Sequence, residues 1–312
     1  MTQTTQEAPP VVQIQKAAAR QKGPLVFLDM DQQELDDAYN QIKYAPNQPQ
    51  IVARFASNSA AARGQLGEPR RLGYGSGAVE RLDLYAAAAT NAPVCVFFHG
   101  GAWRQGEAKD YAFAAENFVR AGVHFAVIDF DNVTATGGDL MPIADQVRRS
   151  VAWLHGNAAS FGGDPSRLYV IGHSSGAHLA GVVATTDWRR AFGLPADTVK
   201  AALLCSGMYD LTPVRLSSRS EYVRFTDASV EALSPLRHVG LLANPIIVGH
   251  GSLETPEFLR QSRELVAMAR AAGKSVTHLV GAGYNHFEII ETLANPYGLL
   301  GRAALAMAKG GR

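Results

Sequence analysis

The sequence predicts a doubly wound α/β fold built on a mostly parallel sheet. Between residues 94 and 280, short apolar runs rich in β-branched residues alternate with longer helical patterns. Unbroken apolar runs of this kind are typical of parallel strands that helices cover on both faces. Two earlier runs, residues 72–75 and 79–85, flank a Gly-Ser-Gly turn, and the second alternates polar with apolar side chains. They predict an antiparallel hairpin at the start of the sheet.

The remaining elements follow in a regular order. The expected strands cover residues 94–98, 123–128, 168–171, 201–204, 246–248 and 275–280. The expected helices cover residues 109–121, 143–154, 175–185 and 256–272, with terminal helices after the last strand. The stretch 208–242 does not fit this alternation. We expect it to form a cap-like insertion near the carboxyl edge of the sheet, where open α/β sheets bind ligands.

Two segments precede the sheet. Residues 1–24 contain Pro9-Pro10 and many Gln and Ala residues, which predicts a flexible leader. Residues 25–66 are expected to form a helical flank or cap, because apolar residues between positions 35 and 42 share one helix face. Pro46 and Pro49 should divide this flank into two helical pieces. Residues 25–312 are predicted to form a single domain.

Composition excludes several classes of protein. The chain has 29 Lys and Arg residues against 28 Asp and Glu, a net charge of +1, and its basic residues are scattered. It therefore lacks the basic face of a nucleic-acid-binding protein. No run approaches the roughly 18 apolar residues that span a bilayer, and the N-terminus lacks the pattern of a secretory signal. We expect a cytoplasmic protein with no membrane partner. Cys95 and Cys205 lie in apolar runs and are expected to be buried, free thiols.

The strongest motif is Gly172-His173-Ser174-Ser175-Gly176, which follows an expected strand and precedes an expected helix. A G-x-S-x-G pattern in this context is typical of the nucleophile elbow of an α/β-hydrolase fold. The sharp turn holds the serine in a strained conformation that only small neighbours permit. We therefore predict that Ser174 is a nucleophile. The backbone N–H of Ser175, at the start of a helix, is expected to stabilise an oxyanion.

A second motif, His99-Gly100-Gly101-Ala102-Trp103, comes directly after the strand 94–98. Loops of this H-G-G type supply further oxyanion donors in α/β hydrolases. We expect the N–H groups of Gly101 and Ala102 to complete an oxyanion hole with Ser175. His99 is expected to hold the loop, and Trp103 to line the acyl side of the substrate pocket.

Chain order selects a base from the nine histidines. In this fold the nucleophile comes first, then the acid, then the histidine. His178 lies one turn along the nucleophile helix, and His250 and His278 lie at or within strands. His286 follows the last strand in a loop that ends at the catalytic edge, so we predict that it is the base. Tyr284, in the same loop, is expected to contact substrate.

The acid is expected in the loop after the strand 246–248. Glu254 is the candidate there, because Thr255-Pro256 then begins a helix with proline at a favoured position. Glu257 is expected to complement the positive end of that helix. Asp210 is the competing acid, but its Asp-Leu-Thr-Pro context suits a helix cap.

Five segments of the chain carry a family resemblance. They are His99–Trp103, Gly172–Ala180, Ser206–Leu211, Pro256–Ser262 and Asn285–Ile290. In these segments, and more broadly from Leu35 to about Leu293, the chain resembles the kynurenine formamidase (arylformamidase) group of α/β hydrolases. The resemblance implies that Ser174 and His286 take the nucleophile and base positions. That family usually has Asp where Glu254 stands, so the loop must absorb one extra methylene.

The motifs predict a serine hydrolase with no metal or other cofactor, and the resemblance implies that it cleaves an aryl formamide or a related small acyl amide. A carboxylesterase acting on short-chain aryl or alkyl esters is an alternative, as is a carbamate or other amide hydrolase. A non-catalytic binding protein is disfavoured because no triad residue is missing. The expected partner is a small-molecule aryl amide or ester, and a homodimer is left open.

Overall fold

A computed structural model describes residues 20–310, and its architecture is the predicted α/β-hydrolase fold. The flexible leader predicted for residues 1–24 lies outside these residues except for its last five. Within those five, Arg20 Nη2 and the N–H of Gly23 both contact Asp31 Oδ2, at 2.5 and 2.7 Å. Asp31 thus ties the start of the described chain to the segment that follows. The single-domain boundaries remain a prediction.

A helical flank precedes the main sheet. Its elements are, in order, a two-stranded antiparallel hairpin of β1 (Leu25–Phe27) and β2 (Met30–Asp31), α1 (Gln32–Ala38), a 3-10 turn (Gln41–Tyr44) and α2 (Gln48–Leu66). Helix α1 begins with a capping box, in which Asp31 accepts the N–H of Glu34 and Glu34 accepts the N–H of Asp31, both at 3.0 Å. As predicted, a proline-bearing stretch separates two helical pieces, and Pro49 lies in the first turn of α2.

The centre of the molecule is an eight-stranded sheet. Its strands are β3 (Arg70–Gly73), β4 (Arg81–Tyr85), β5 (Ala92–Phe98), β6 (His124–Ile128), β7 (Gly163–His173), β8 (Val199–Cys205), β9 (Ile246–Gly251) and β10 (Val276–Gly281). They lie in the order β10-β9-β8-β7-β5-β6-β4-β3. Strands β3 and β4 form the predicted antiparallel hairpin, β4 also runs antiparallel to β6, and the other pairs are parallel. The carboxyl ends of the parallel strands therefore meet at one edge.

Helices cover both faces of this sheet. They are α3 (Ala115–Arg120), α4 (Met141–Asn157), α5 (Ser175–Ala184), α6 (Trp188–Phe192), α7 (Leu211–Leu216), α8 (Asp227–Ala232), α9 (Pro256–Ala271), α10 (Glu288–Glu291) and α11 (Leu299–Ala308). On β5, Val94, Val96 and Phe98 belong to one apolar core with α4, α5 and α9, whereas Cys95 and Phe97 belong to a second with α2, α3 and α11. Successive side chains of β5 are thus buried on opposite faces of the sheet, as the unbroken apolar runs predicted. Within residues 20–310, no helix is long and apolar enough to cross a bilayer.

One predicted helix is broken. In place of a continuous helix over 109–121, the chain forms two 3-10 turns, Ala108–Asp110 and Ala112–Ala114, before α3. Tyr111 lies between the turns with φ −120° and ψ 18°, outside helical geometry. Its ring stacks on His99 at a centroid distance of 5.0 Å and contacts Phe97 at 6.2 Å. The helical pattern is thus interrupted at the residue whose ring packs against His99 and Phe97.

The two cysteines are buried and free, as expected. Cys95 lies in β5 and Cys205 in β8, and β7 runs between those strands. Burial raises the pKa of both thiols. They therefore pack as small apolar side chains.

The segment predicted as an insertion contains α7, α8 and two 3-10 turns, Ser218–Glu221 and Pro235–Leu241. Asp210 caps α7, because its side chain accepts the N–H of Thr212 at 3.0 Å. This places Asp210 in the role that its sequence context suggested, and not in that of an acid beside a histidine.

Candidate active site

Ser174 lies at the turn between β7 and α5, with φ 57° and ψ −124°. A non-glycine residue in this region costs on the order of 1–3 kcal/mol and needs tight surroundings. The two flanking glycines provide them. A Cβ on Gly172 would lie 2.2 Å from the carbonyl oxygen of Gly176, and a Cβ on Gly176 would lie 2.0 Å from that of Phe98. The strand–turn–helix predicted from the pentapeptide is therefore the observed local structure.

A hydroxyl, an imidazole and a carboxylate from three separate loops form a continuous hydrogen-bonded chain. The Ser174 hydroxyl donates to His286 Nε2 at 2.9 Å, and His286 Nδ1–H donates to Glu254 Oε2 at 2.8 Å. All three side chains are at least nine-tenths buried. Because the carboxylate takes the proton of Nδ1, Nε2 keeps its lone pair toward the hydroxyl. This arrangement can transfer a proton from the hydroxyl to the imidazole.

Neighbouring rings hold the imidazole of His286 in place. Phe258 and Phe287 meet it edge to face, at centroid distances of 5.0 and 5.1 Å. His173 Nε2–H donates to the backbone carbonyl of His286 at 2.9 Å. Burial, followed by the nearby His286, lowers the pKa of His173 to about 3. His173 is therefore neutral near pH 7 and acts as a fixed hydrogen-bond donor.

Glu254 is surrounded by donors. Ser206 Oγ and the N–H of Gly251 both donate to Oε1 at 2.6 Å, and Gln41 Nε2 donates to Oε2 at 3.2 Å. Burial alone would raise the pKa of Glu254, but the charge and hydrogen bond of His286, with the bonds from Ser206 and Gly251, hold it below its ordinary value. The carboxylate is thus ionised at neutral pH although it is buried.

Sequence reasoning gave no role to two of these partners, Ser206 and Gln41. Ser206 directly follows β8 and has φ 58°. Its position alone was a usable signal in the sequence, because a polar residue at the carboxyl end of a parallel strand lies where open α/β sheets bind ligands. Gln41 lies in the flank, and its contact with Glu254 joins residues 213 positions apart. No local pattern marks such a contact.

The predicted oxyanion donors lie beside the serine. Gly101 has φ +116°, and a Cβ there would fall 1.9 Å from the carbonyl oxygen of Gln105, so this position requires glycine. Gly101 and Ala102 line the same cavity as Ser174. Within residues 20–310, the N–H groups of Gly101, Ala102 and Ser175 donate to no protein acceptor. They remain available to a ligand oxygen.

The structure does not bring Trp103 to this cavity. Its ring is buried, and Nε1–H donates to His178 Nδ1 at 3.2 Å. His178 Nε2–H in turn donates to the carbonyl of Leu233 at 2.7 Å. Trp103 thus joins its loop to α5 and to the insertion instead of lining an acyl pocket. The same bonds occupy both nitrogens of His178, and burial lowers its pKa to about 4.

Tyr284 is also outside the cavity. Its side chain is 38% exposed and borders a separate surface depression with Arg54 and Glu288. Only its backbone serves the site loop, by accepting the N–H of Leu253 at 3.0 Å. Tyr284 therefore does not line the cavity that holds Ser174, and its contact with substrate stays a prediction.

The other titratable candidates have structural partners. His99 stacks between Tyr111 and Phe130, with centroid distances of 5.0 and 4.4 Å, and holds its loop as expected. His250 and His278 pack on each other at 5.1 Å. Glu257, in the first turn of α9, accepts two hydrogen bonds from Arg260 and one from the hydroxyl of Tyr39. These contacts give each of these residues a structural role, and none of them requires a role in proton transfer.

The cavity above the serine has a volume of about 330 Å³. Three parts of the chain form its walls beside Ser174, His286 and Phe287. They are the flank (Tyr39, Asn40, Gln41, Ile42, Gln48), the loop after β5 (Gly101, Ala102, Arg104, Gln105) and the insertion (Ser218, Arg219, Tyr222). Pockets that hold small organic ligands measure roughly 300–1,000 Å³. The site therefore suits a compact molecule.

Comparisons with known proteins agree with this architecture. The BD-FAE family profile matches residues 82–268. A kynurenine formamidase of Danio rerio is 30% identical over 291 residues, which cover 89% of this chain and 97% of that protein. The esterase LipC of Mycobacterium tuberculosis is 28% identical over 71% of this chain and 60% of its own.

A solved structure shows the same fold. A putative thioesterase from Silicibacter sp. TM1040 superposes with a TM-score of 0.74 at 24% identity, over 88% of this chain and 99% of its own. With the sequence relatives and the family profile, this likeness places the protein among hydrolases. The chain belongs to the BD-FAE family and, within the α/β hydrolases, to the group that includes the kynurenine formamidases.

Proposed function

We propose that this chain is a serine hydrolase that cleaves an aryl formamide, such as N-formylkynurenine, or a related small acyl amide. The observation that carries the proposal is the relay from Ser174 through His286 to Glu254, with donor–acceptor distances of 2.9 and 2.8 Å. The similarity to a kynurenine formamidase over nearly the whole of both chains supports the choice of a formamide.

The first half of the reaction forms an acyl-serine. His286 Nε2 takes the hydroxyl proton as Ser174 Oγ attacks the carbonyl carbon, and the carbonyl oxygen becomes an oxyanion. The N–H groups of Gly101, Ala102 and Ser175 stabilise that charge, and one such donor is worth roughly 3 kcal/mol of the barrier. His286 then returns the proton to the nitrogen, and the arylamine leaves.

The second half releases the acid. Water attacks the acyl carbon as His286 Nε2 takes one of its protons. The new oxyanion then collapses, the bond to Ser174 Oγ breaks, and His286 returns the proton to Oγ, which frees the serine and releases formate or another small carboxylic acid. Glu254 stabilises the imidazolium in both halves, because its pKa lies below the ordinary value and it stays ionised. In an aryl amide the nitrogen lone pair is shared with the aromatic ring, which weakens the amide resonance. The arylamine therefore leaves more easily.

An esterase acting on short-chain aryl or alkyl esters is the second candidate. The 28% identity to an esterase supports it, and the same relay performs both reactions. The comparison that separates the two is kcat/KM for N-formylkynurenine against kcat/KM for 4-nitrophenyl acetate. A higher value for the formamide supports the proposal, and a strong preference for the ester rejects it in favour of the second candidate.

Labelling with a fluorophosphonate tests the serine mechanism itself. We expect the probe to modify Ser174, as located by peptide mass spectrometry, and Ser174→Ala to abolish both labelling and hydrolysis. Ser160→Ala is the matched control, since Ser160 is exposed and its hydroxyl, among the residues that the structure describes, bonds only the carbonyl of Asn157. Failure of the folded wild-type protein to react would reject the serine mechanism.

A further inference from the structure

The cavity carries two arginines that no acidic side chain neutralises. Arg104 and Arg219 line it, and none of the other lining residues is Asp or Glu. Within residues 20–310, neither forms an ion pair. Ten other arginines in that part of the chain do, namely Arg20, Arg54, Arg71, Arg120, Arg148, Arg149, Arg167, Arg215, Arg237 and Arg260. Other arginines of the described chain, such as Arg189 and Arg224, also lack an ion pair. Arg104 and Arg219 differ from them in lining the cavity that holds Ser174.

Arg219 is held in a fixed position. Its Nη2 donates to the carbonyl of Tyr39 at 3.0 Å, and its Nη1 donates to the hydroxyl of Tyr222. Its Nε is buried and has no partner within the described chain. Buried donors are nearly always paired in folded proteins. The protein therefore leaves part of the hydrogen-bonding capacity of this guanidinium unused.

Arg104 lies on the same wall through the same tyrosine. Its guanidinium carbon is 4.5 Å from the centre of the Tyr222 ring, whose hydroxyl accepts from Arg219. Tyr222 thus organises both cations, one on its ring face and one at its hydroxyl. A guanidinium fixed in this way presents its donors at little cost in side-chain entropy.

Two buried carboxylates that contact residues of the cavity wall are already matched. Glu254 accepts from His286, Ser206 and Gly251, and Glu257 accepts two bonds from Arg260. Neither is available to neutralise the cavity arginines. An anion on the bound molecule would supply the missing charge.

We propose that Arg104 and Arg219 form a subsite for a carboxylate carried by the substrate. The inference rests on the proposed function and deepens it. A formyl group cannot carry a carboxylate. The carboxylate therefore belongs to the arylamine part, the product that leaves first. Arginine suits this role since its planar fork matches the two oxygens of a carboxylate.

The kinetic test uses formanilides that carry an acetate, propionate or butyrate arm, each compared with its primary carboxamide. For at least one arm length we expect kcat/KM of the acid to exceed that of the carboxamide by about tenfold or more, as hydrogen bonds to charged groups allow. Arg219→Gln and Arg104→Gln should each lower that ratio by about tenfold. Arg224→Gln is the matched control on the same insertion, because Arg224 is exposed and does not line the cavity.

A binding test decides the subsite without turnover. Calorimetry with Ser174→Ala should show 3-phenylpropionate or 4-phenylbutyrate binding at least five times more tightly than its amide, and adding Arg104→Gln should remove the difference. Arg104 is exposed, so this variant serves if Arg219→Gln does not fold. Preferential binding of the acids without turnover of any formanilide would keep the subsite and reject the proposed reaction. Equal binding of acids and amides, or a preference unchanged in both arginine variants, would overturn the subsite.

Discussion

Four chain segments meet at the carboxylate of Glu254. Gln41 comes from the flank, Ser206 from the end of β8, Gly251 from the end of β9, and His286 from the loop after β10. A buried carboxylate needs this many donors to stay ionised, and the donors also fix its orientation. The extra methylene of Glu relative to Asp is accommodated within this set, because the side chain reaches all four partners.

Replacing the carboxylate by an amide tests its electrostatic role. Glu254→Gln keeps the size of the side chain but cannot stabilise a positively charged His286. We expect kcat to fall by roughly 10³–10⁴, the scale seen when a triad carboxylate becomes an amide. KM should change far less, since Glu254 does not line the cavity. Glu116→Gln, at a half-buried position of α3 that pairs with Arg120 and does not line the cavity, is the control. A loss in kcat smaller than tenfold would contradict the assigned role.

Gln41 is expected to act as a positioning residue. Gln41→Ala removes the bond to Glu254 Oε2 and the acceptor of the Thr255 N–H at 3.3 Å. We expect kcat to fall about tenfold, as for a lost hydrogen bond to a charged group. The readout is kcat on a small ester, where contacts with a leaving group matter least. Gln50→Ala, an exposed substitution in α2, controls for general effects on the flank. Equal kcat values for the two variants would refute the positioning role.

At the level of elements, the site depends on a close approach between the elbow and the loop after β5. Gly176 lies against the carbonyls of Phe98 and His99, and Gly100 faces Ser174 and His173. This contact holds the N-terminus of α5 against the loop that carries the other oxyanion donors. The backbone packing of two elements thus sets the position of groups that would act in catalysis.

A pair of glycine substitutions measures that packing. Gly176→Ala would place a Cβ 2.0 Å from the carbonyl oxygen of Phe98, and we expect it to lower the free energy of unfolding by about 3 kcal/mol through overpacking. Gly64→Ala, in α2 with open space around its Cβ, should raise that free energy by about 0.5–1 kcal/mol. Urea denaturation gives both values. A Gly176→Ala protein as stable as the wild type would show that the two elements can separate freely.

For the whole molecule, buried neutral histidines predict a loss of stability in mild acid. The pKa of His173 is lowered to about 3 and that of His178 to about 4, mainly by burial. In the unfolded chain, histidines titrate near pH 6.5. Between pH 6.5 and 4 the unfolded chain therefore binds protons that the folded protein does not. The contribution of these two histidines to the free energy of unfolding is fully present above about pH 6.5 and is lost as the pH decreases.

Each of these two histidines should lower the free energy of unfolding by about 2 kcal/mol between pH 7.5 and pH 5.0. Urea denaturation at several pH values measures how the free energy of unfolding changes with pH, and this slope gives the number of protons taken up on unfolding. His178→Gln should lower that number by about one. Glu254 adds nothing in this window, because its lowered pKa matters only below about 4.5. Stability that is constant or that rises toward pH 5 would contradict the assignment of neutral, buried rings.

The sequence was informative wherever function depends on local pattern or on chain order. The elbow at Ser174 needs glycines two residues away on each side, and those glycines are visible in the pentapeptide. Chain order selected His286, and the strand alternation predicted the sheet. Trp103 was misplaced because the direction of a side chain from a loop depends on packing. Gln41 was missed because its partner is distant in the chain.

The bond between Gln41 and Glu254 also has a consequence for biosynthesis. Its two ends are 213 residues apart, which corresponds to about 10–40 s of translation at roughly 5–20 residues per second. During that interval the flank has left the ribosome while the loop after β9 does not yet exist. The helices of the flank therefore cannot form their contact with Glu254 until that later part of the chain has been synthesised. We expect ribosome-bound intermediates that end before residue 254 to be open to protease within the flank and to lack esterolytic activity, whereas the released chain is protected there.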